Sequence, residues 1–113
     1  MMNGEVFAAI ELRAMISAWR TLVIEWELTW SERQALLPQG GDELENPPAG
    51  TETRMRLLIE IGYRLRFDDG MALVEWLRTP SPDWGWLAPL DVMGASLPDL
   101  RRLRRLADAG LLP

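Results

Sequence analysis

The sequence predicts an all-α protein, and three observations lead there. Apolar residues recur at helical spacing in several stretches. No segment sustains the two-residue alternation of a half-buried strand. The periodic segments are bounded by residues that cap or break helices. A length of 113 residues with 48% hydrophobic and 26% charged content suits one small globular fold.

The first helix is expected over residues 12–28. Leu12, Met15, Ile16, Trp19, Leu22, Val23 and Trp26 form one stripe, and Glu11, Arg13, Ser17, Arg20, Thr21, Glu25 and Glu27 lie off it. Val6, Phe7 and Ile10 do not join that stripe. They belong either to an N-terminal extension with its own contacts or to first turns packed on another neighbour. Thr29 with Glu32 three residues on has the form of a capping box, opening a short helix to Leu37 that Pro38 ends. Residues 39–53 hold glycines, prolines and acids with no basic residue, and read as a loop with at most one turn near Asp42 to Glu45.

Thr51 or Thr53 is expected to cap a helix reaching about Phe67. Its apolar positions Met55, Leu57, Leu58, Ile59, Ile61 and Leu65 exceed a single stripe, so it should be central. Gly62 suits a close crossing, and Glu60 with Arg64 suits an i,i+4 ion pair. Asp68 or Asp69 caps the next helix, through Met71, Leu73, Val74, Trp76 and Leu77, which Thr79-Pro80 stops. After a loop rich in Trp and Pro, Pro89 opens one or two helical turns. Ser96 and Asp99 open the last helix, Leu97, Leu100, Leu103, Leu106 and Ala107 form its stripe, and Gly110 closes it.

Composition narrows function. The chain has no Cys and no His, and all 12 basic residues are Arg. Disulfides, thiolate zinc sites, histidine bases and lysine nucleophiles are therefore excluded, and an enzyme is not expected. No apolar run is long enough for a membrane span, and the N-terminus lacks the pattern of a signal peptide, so a cytoplasmic location is expected. The net charge of −5 opposes nucleic-acid binding, which draws most of its affinity from phosphate neutralisation.

Few residues invite a functional reading. The acids Asp42, Glu43 and Glu45, and the pair Asp68 and Asp69, lack the ligand spacing of a cation loop, so capping and solvated loop charge account for them. In "RRLRR", residues 101–105, Arg101, Arg102 and Arg105 lie opposite the leucines. They read as a solvated face, as a grip on an acidic partner, or as a phosphate contact. Trp19, Trp26 and Trp76 read as core. Trp30, Trp84 and Trp86 either staple loops or anchor an interface.

"ALVEWLRTPSPDWGWLAPLDVM", followed by an Arg/Leu helix ending in Gly110, resembles the C-terminal domain of MbcA/ParS/Xre antitoxins, the partners of RES-domain toxins. Trp76-Leu77, Pro80, Pro89-Leu90-Asp91 and Gly110 carry the resemblance, which covers residues 52–113. Trp86-Leu87-Ala88 depart from it, standing where the family has a glycine-rich step. The resemblance implies a bacterial type II antitoxin that blocks a toxin acting on NAD, without a cofactor or metal of its own. It places Gly110, Leu111, Leu112, Pro113 and the preceding helix, with Arg101, Arg105 and Asp108, at the toxin. Trp84 and Trp86 join them as candidate contacts.

The family's N-terminal half is usually a helix-turn-helix. Residues 1–51 are expected to be a degenerate, helix-turn-helix-like or dimerising region, and residues 52–113 the toxin-binding helical half. Residues 34–53 contain no basic residue, so operon repression through DNA is the disfavoured alternative. The wide apolar face of helix 53–67, with Val6, Phe7 and Ile10, suggests a homodimer within a larger toxin–antitoxin assembly.

Overall fold

Thr29, Asp69 and Ser96 each precede an apolar helical run, and each caps a helix. Thr29 Oγ1 accepts from the Glu32 amide at 3.1 Å while the Glu32 carboxylate accepts from the Thr29 amide at 2.9 Å. Asp69 accepts from the Met71 amide at 2.8 Å, and Ser96 Oγ from the Asp99 amide at 3.1 Å. The structure is a computed structural model that describes the backbone from Gly4 and the side chains from Glu11 onward. Its helices are α1 (Gly4–Glu25), α2 (Trp30–Leu36), α3 (Ala49–Arg64), α4 (Gly70–Arg78), α5 (Pro89–Ala95) and α6 (Leu97–Asp108), with a short 3-10 turn at Pro82–Trp84. The protein is all-α, with no strand among the described residues. The side chains of Val6, Phe7 and Ile10 lie outside the described residues.

One core unites the helices. Met15, Ile16, Trp19, Leu22 and Trp26 from α1 meet Met55, Leu58 and Ile61 from α3, and the core continues through Leu77, Met93, Leu100 and Leu103. α3 packs on α1 on one side and on α6 on the other, as its wide apolar face requires. Most of that face is thereby covered within the chain, with Leu57 partly buried. No helix intervenes between α2 and α3, where a loop was expected, and α3 packs on α1 and α6 with Arg56, Tyr63 and Arg64 left exposed.

Several local expectations need correcting. Neither Thr51 nor Thr53 caps α3. The cap is Pro48, and Thr51 is buried and donates to the Gly40 carbonyl at 2.6 Å, tying the loop to α3. α3 ends at Arg64, short of Phe67. Glu60 and Arg64 do not pair side chain to side chain. They reach across to α6, where Glu60 meets Arg104 at 3.2 Å and Arg64 meets Asp108. The tight crossing is at Gly94, not Gly62. A Cβ on Gly94 would stand 3.1 Å from the Ala35 carbonyl oxygen, whereas one on Gly62 would meet Leu22 at an ordinary 3.5 Å.

Asp42 is not a solvated loop acid. It is 6% exposed and accepts from Trp19 Nε1 at 3.2 Å and from Arg33 Nη2 at 2.7 Å. Burial alone would raise its pKa, but the hydrogen bonds from Arg33 and Trp19 hold it below the ordinary 3.8. These bonds seat the glycine-rich loop against α1.

Arg78, at the end of α4, joins three helix ends. Its Nε and Nη2 form a fork on Glu32, at 3.0 and 2.8 Å. The same Nη2 donates to the Trp26 and Glu27 carbonyls at 2.9 and 3.0 Å, closing the C-terminus of α1. Glu27 there has a φ of 49°, a left-handed conformation costly for a residue with a side chain. Burial opposes ionisation of Glu32, but the Arg78 and Thr29 hydrogen bonds outweigh it and hold its pKa below the ordinary 4.5.

Replacing Arg78 by Ala leaves Glu32 with only the Thr29 amide and removes the side-chain donor to the Trp26 and Glu27 carbonyls, and should cost about 2–4 kcal/mol in urea unfolding. Gly94→Ala should cost about 1–2 kcal/mol by overpacking, while Gly62→Ala should be neutral or stabilising. Equal effects at the two glycines would contradict the packing described. Because Glu32 and Asp42 have lowered folded-state pKa values, the stability they contribute is full above their ordinary values of 4.5 and 3.8. It is lost as pH falls through the still lower folded values. Urea midpoints taken from neutral pH to about pH 3 should fall less steeply for Glu32→Gln and Asp42→Asn than for the wild type.

Candidate protein-binding groove

The connection between α4 and α5 is built to be stiff. Pro80 and Pro82 fix two φ angles. Ser81 exchanges backbone hydrogen bonds with the far side of the loop: its amide donates to Leu87 O at 3.1 Å, and its carbonyl accepts from the amides of Trp84 and Trp86 at 3.1 and 2.8 Å. The Leu87 amide returns to Trp84 O at 3.2 Å, and Gly85 and Trp86 have φ of 63° and 66°. Positive φ at both central residues is the pattern of a type I′ turn.

The two loop tryptophans have different fates. Trp84 is half-buried and packs against the edge of the core, so it staples the loop. Trp86 is 69% exposed and occupies the left-handed region that disfavours a bulky side chain. Its indole finds no compensating burial within the chain. Backbone strain without an internal benefit concentrates at functional positions.

At the other end of the chain α6 closes on a Schellman motif. Gly110, at φ 72°, donates to Ala107 O at 3.0 Å and Leu111 donates to Leu106 O at 2.9 Å. The three residues after Gly110 do not project outward. The Arg66 amide donates to Pro113 O at 2.9 Å, so the tail turns back to the α3–α4 link. Leu112 is half-buried against the core, and Leu111 remains 70% exposed.

The stiff loop and the folded-back tail face each other across a groove of about 750 Å³. Trp76 and Leu106 lie along it, the loop from Thr79 to Trp84 forms one wall, and Gly110 to Pro113 form the other. Trp76 is therefore not core, as its helical stripe suggested. It is half-buried, tilted 48° against Phe67 with ring centroids 5.6 Å apart, and lines the groove. Asp83 and Arg102 are its charged residues, and no lining residue offers a nucleophile activated by a neighbouring base. The chemistry available is binding of apolar or proline-compatible surface, oriented by a few polar contacts.

The expected contact residues divide accordingly. Trp84, Gly110, Leu111, Leu112 and Pro113 come together at the groove. Trp86, Arg101 and Arg105 are exposed but do not line it. Asp108 is committed within the chain, paired with Arg64 and, at 3.4 Å, with Arg104. The sequence reading grouped Arg102 with Arg101 and Arg105 and did not single it out as the one that lines the groove. The signal was spacing: Arg102 and Leu106 fall at i,i+4 on α6, and Gly110 follows four positions on in the turn that closes it.

Trp84→Ala should destabilise the fold by about 2 kcal/mol, since it removes buried contact area. Trp86→Gly should leave stability unchanged or raise it by up to about 1 kcal/mol, because strain is relieved and little burial is lost. Thermal or urea unfolding distinguishes them, and equal destabilisation would show that Trp86 is a staple too. Comparison of the sequence with protein-family models, with curated proteins and with solved structures finds no match, so function is argued from the residues themselves.

Proposed function

We propose that the chain is the antitoxin of a type II toxin–antitoxin pair, binding and sterically blocking a RES-domain toxin that acts on NAD. One observation carries the reading. Of the residues that carry the resemblance to MbcA/ParS/Xre antitoxins, Trp76, Pro80, Pro89 and Gly110 line one groove, whereas Leu77, Leu90 and Asp91 do not. Those that line it come from the end of α4, the loop after it, the start of α5 and the turn after α6, so the fold brings separate elements to one groove. Leu77 and Leu90, beside Trp76 and Pro89 in sequence, are buried in the core.

The physical case is that of a protein interface. An exposed tryptophan, an exposed leucine and a rigid proline-bounded loop supply contact area that loses little freedom on binding. The cluster Arg101, Arg102 and Arg105 borders it with positive charge on a chain whose net charge is −5. The acidic loop before α3, without a basic residue, weighs against the DNA-binding alternative.

The test is co-expression with a RES-domain toxin. Wild type should restore growth. Deleting residues 110–113 should abolish rescue. Because Leu112 contributes to the core, Leu111→Asp is the cleaner variant: it should keep the melting temperature and weaken neutralisation at least about tenfold. Full rescue by both variants would remove the tail from the mechanism, and failure of the wild type to bind the toxin would overturn the reading.

A further inference from the structure

Arg102 separates two depressions on one face. The large groove lies on one side. On the other, Leu87, Val92 and Leu103 line a second depression of about 280 Å³, and Arg102, Trp84 and Asp83 belong to both. Both depressions therefore present apolar walls, and a guanidinium stands on the ridge between them. Arg33, Arg56, Arg64, Arg78 and Arg104 all have carboxylate partners, whereas Arg102 enters no ion pair among the described residues. Its neighbour Asp99 is occupied by the α6 cap, accepting from Ser96 Oγ at 2.8 Å.

We infer that this face binds an acidic–apolar protein segment: one Asp or Glu seated on Arg102, flanked by apolar side chains that enter the two depressions on either side. A carboxylate suits the planar donor fork of Arg102. Apolar flanks suit Trp76 and Leu106 on one side and Leu87 and Val92 on the other. Asp83 in both depressions, and Asp99 in the second, discriminate against a polyanion. A single carboxylate can avoid them, but successive phosphates of a nucleic acid cannot. The inference deepens the antitoxin reading, since it names the chemistry of the toxin surface that the groove would grip.

The test begins with a displayed library of random peptides selected on the immobilised full chain. Enriched sequences should carry one Asp or Glu between apolar residues, and a synthetic copy should bind with an affinity that falls as salt is raised. Arg102→Glu should weaken that peptide roughly tenfold or more, Arg102→Lys should do so less, and Arg101→Glu should do so least. Arg102 is exposed, so unfolding curves of the variants should match the wild type. No acidic consensus, or equal binding by Arg102→Glu, would overturn the inference. So would a short DNA duplex that displaces the peptide as well as its own unlabelled copy does. Adding the purified RES-domain toxin separates the two proposals. Displacement of the peptide by toxin supports both, while a peptide that needs Arg102 but is indifferent to toxin leaves this inference standing and removes the antitoxin reading.

Discussion

The guanidinium of Arg78 is the contact on which the other elements depend. It receives the exposed carbonyls at the end of α1, forks onto Glu32 at the start of α2, and is itself the last residue of α4. Glu32 serves twice, closing the capping box of α2 and accepting from Arg78. A helix C-terminus carries partial negative charge and unsatisfied carbonyls, so a cation there is favourable. Its position also fixes where α4 stops, and hence where the proline-bounded loop leaves the core.

The candidate site follows from that placement. Trp76 lies two residues before the end of α4, and Pro80 and Pro82 carry the chain away along a path with little freedom. α5 and α6 then return it through the tight contact at Gly94 and the closing turn at Gly110. The groove is thus a product of two helix terminations, those of α4 and α6, brought side by side by the packing of α6 on α3. Its walls are held by backbone hydrogen bonds, which leaves indole and leucine side chains free to meet a partner.

The local grammar was legible in the sequence. Thr29 with Glu32, Asp69, Ser96 with Asp99, and Gly110 each did what its type and position indicated, because a cap is decided by residues three or four apart. The central role of α3 was also readable from the width of its apolar face. Long-range pairings were not. Arg78 and Glu32 are separated by 46 positions, and Trp19 and Asp42 by 23, with no periodicity to announce either pair. Asp42 looked like one loop acid among several, and its burial depends on a tryptophan from α1. The inward turn of the tail depends on one backbone bond to Arg66. Trp76 obeyed its helical stripe, but it sits at the stripe's end, where the core gives way to the groove.

The most direct measurement is a two-dimensional proton–nitrogen NMR spectrum of the labelled chain, following its six tryptophan indole signals as purified RES-domain toxin is added. Trp84 and Trp86 border the candidate interface, while Trp19 and Trp26 are about 1% exposed within the core. The account expects the Trp84 and Trp86 signals to shift or broaden while those of Trp19 and Trp26 hold their positions. Unchanged Trp84 and Trp86 signals, or a response confined to Trp30 on α2, would contradict it.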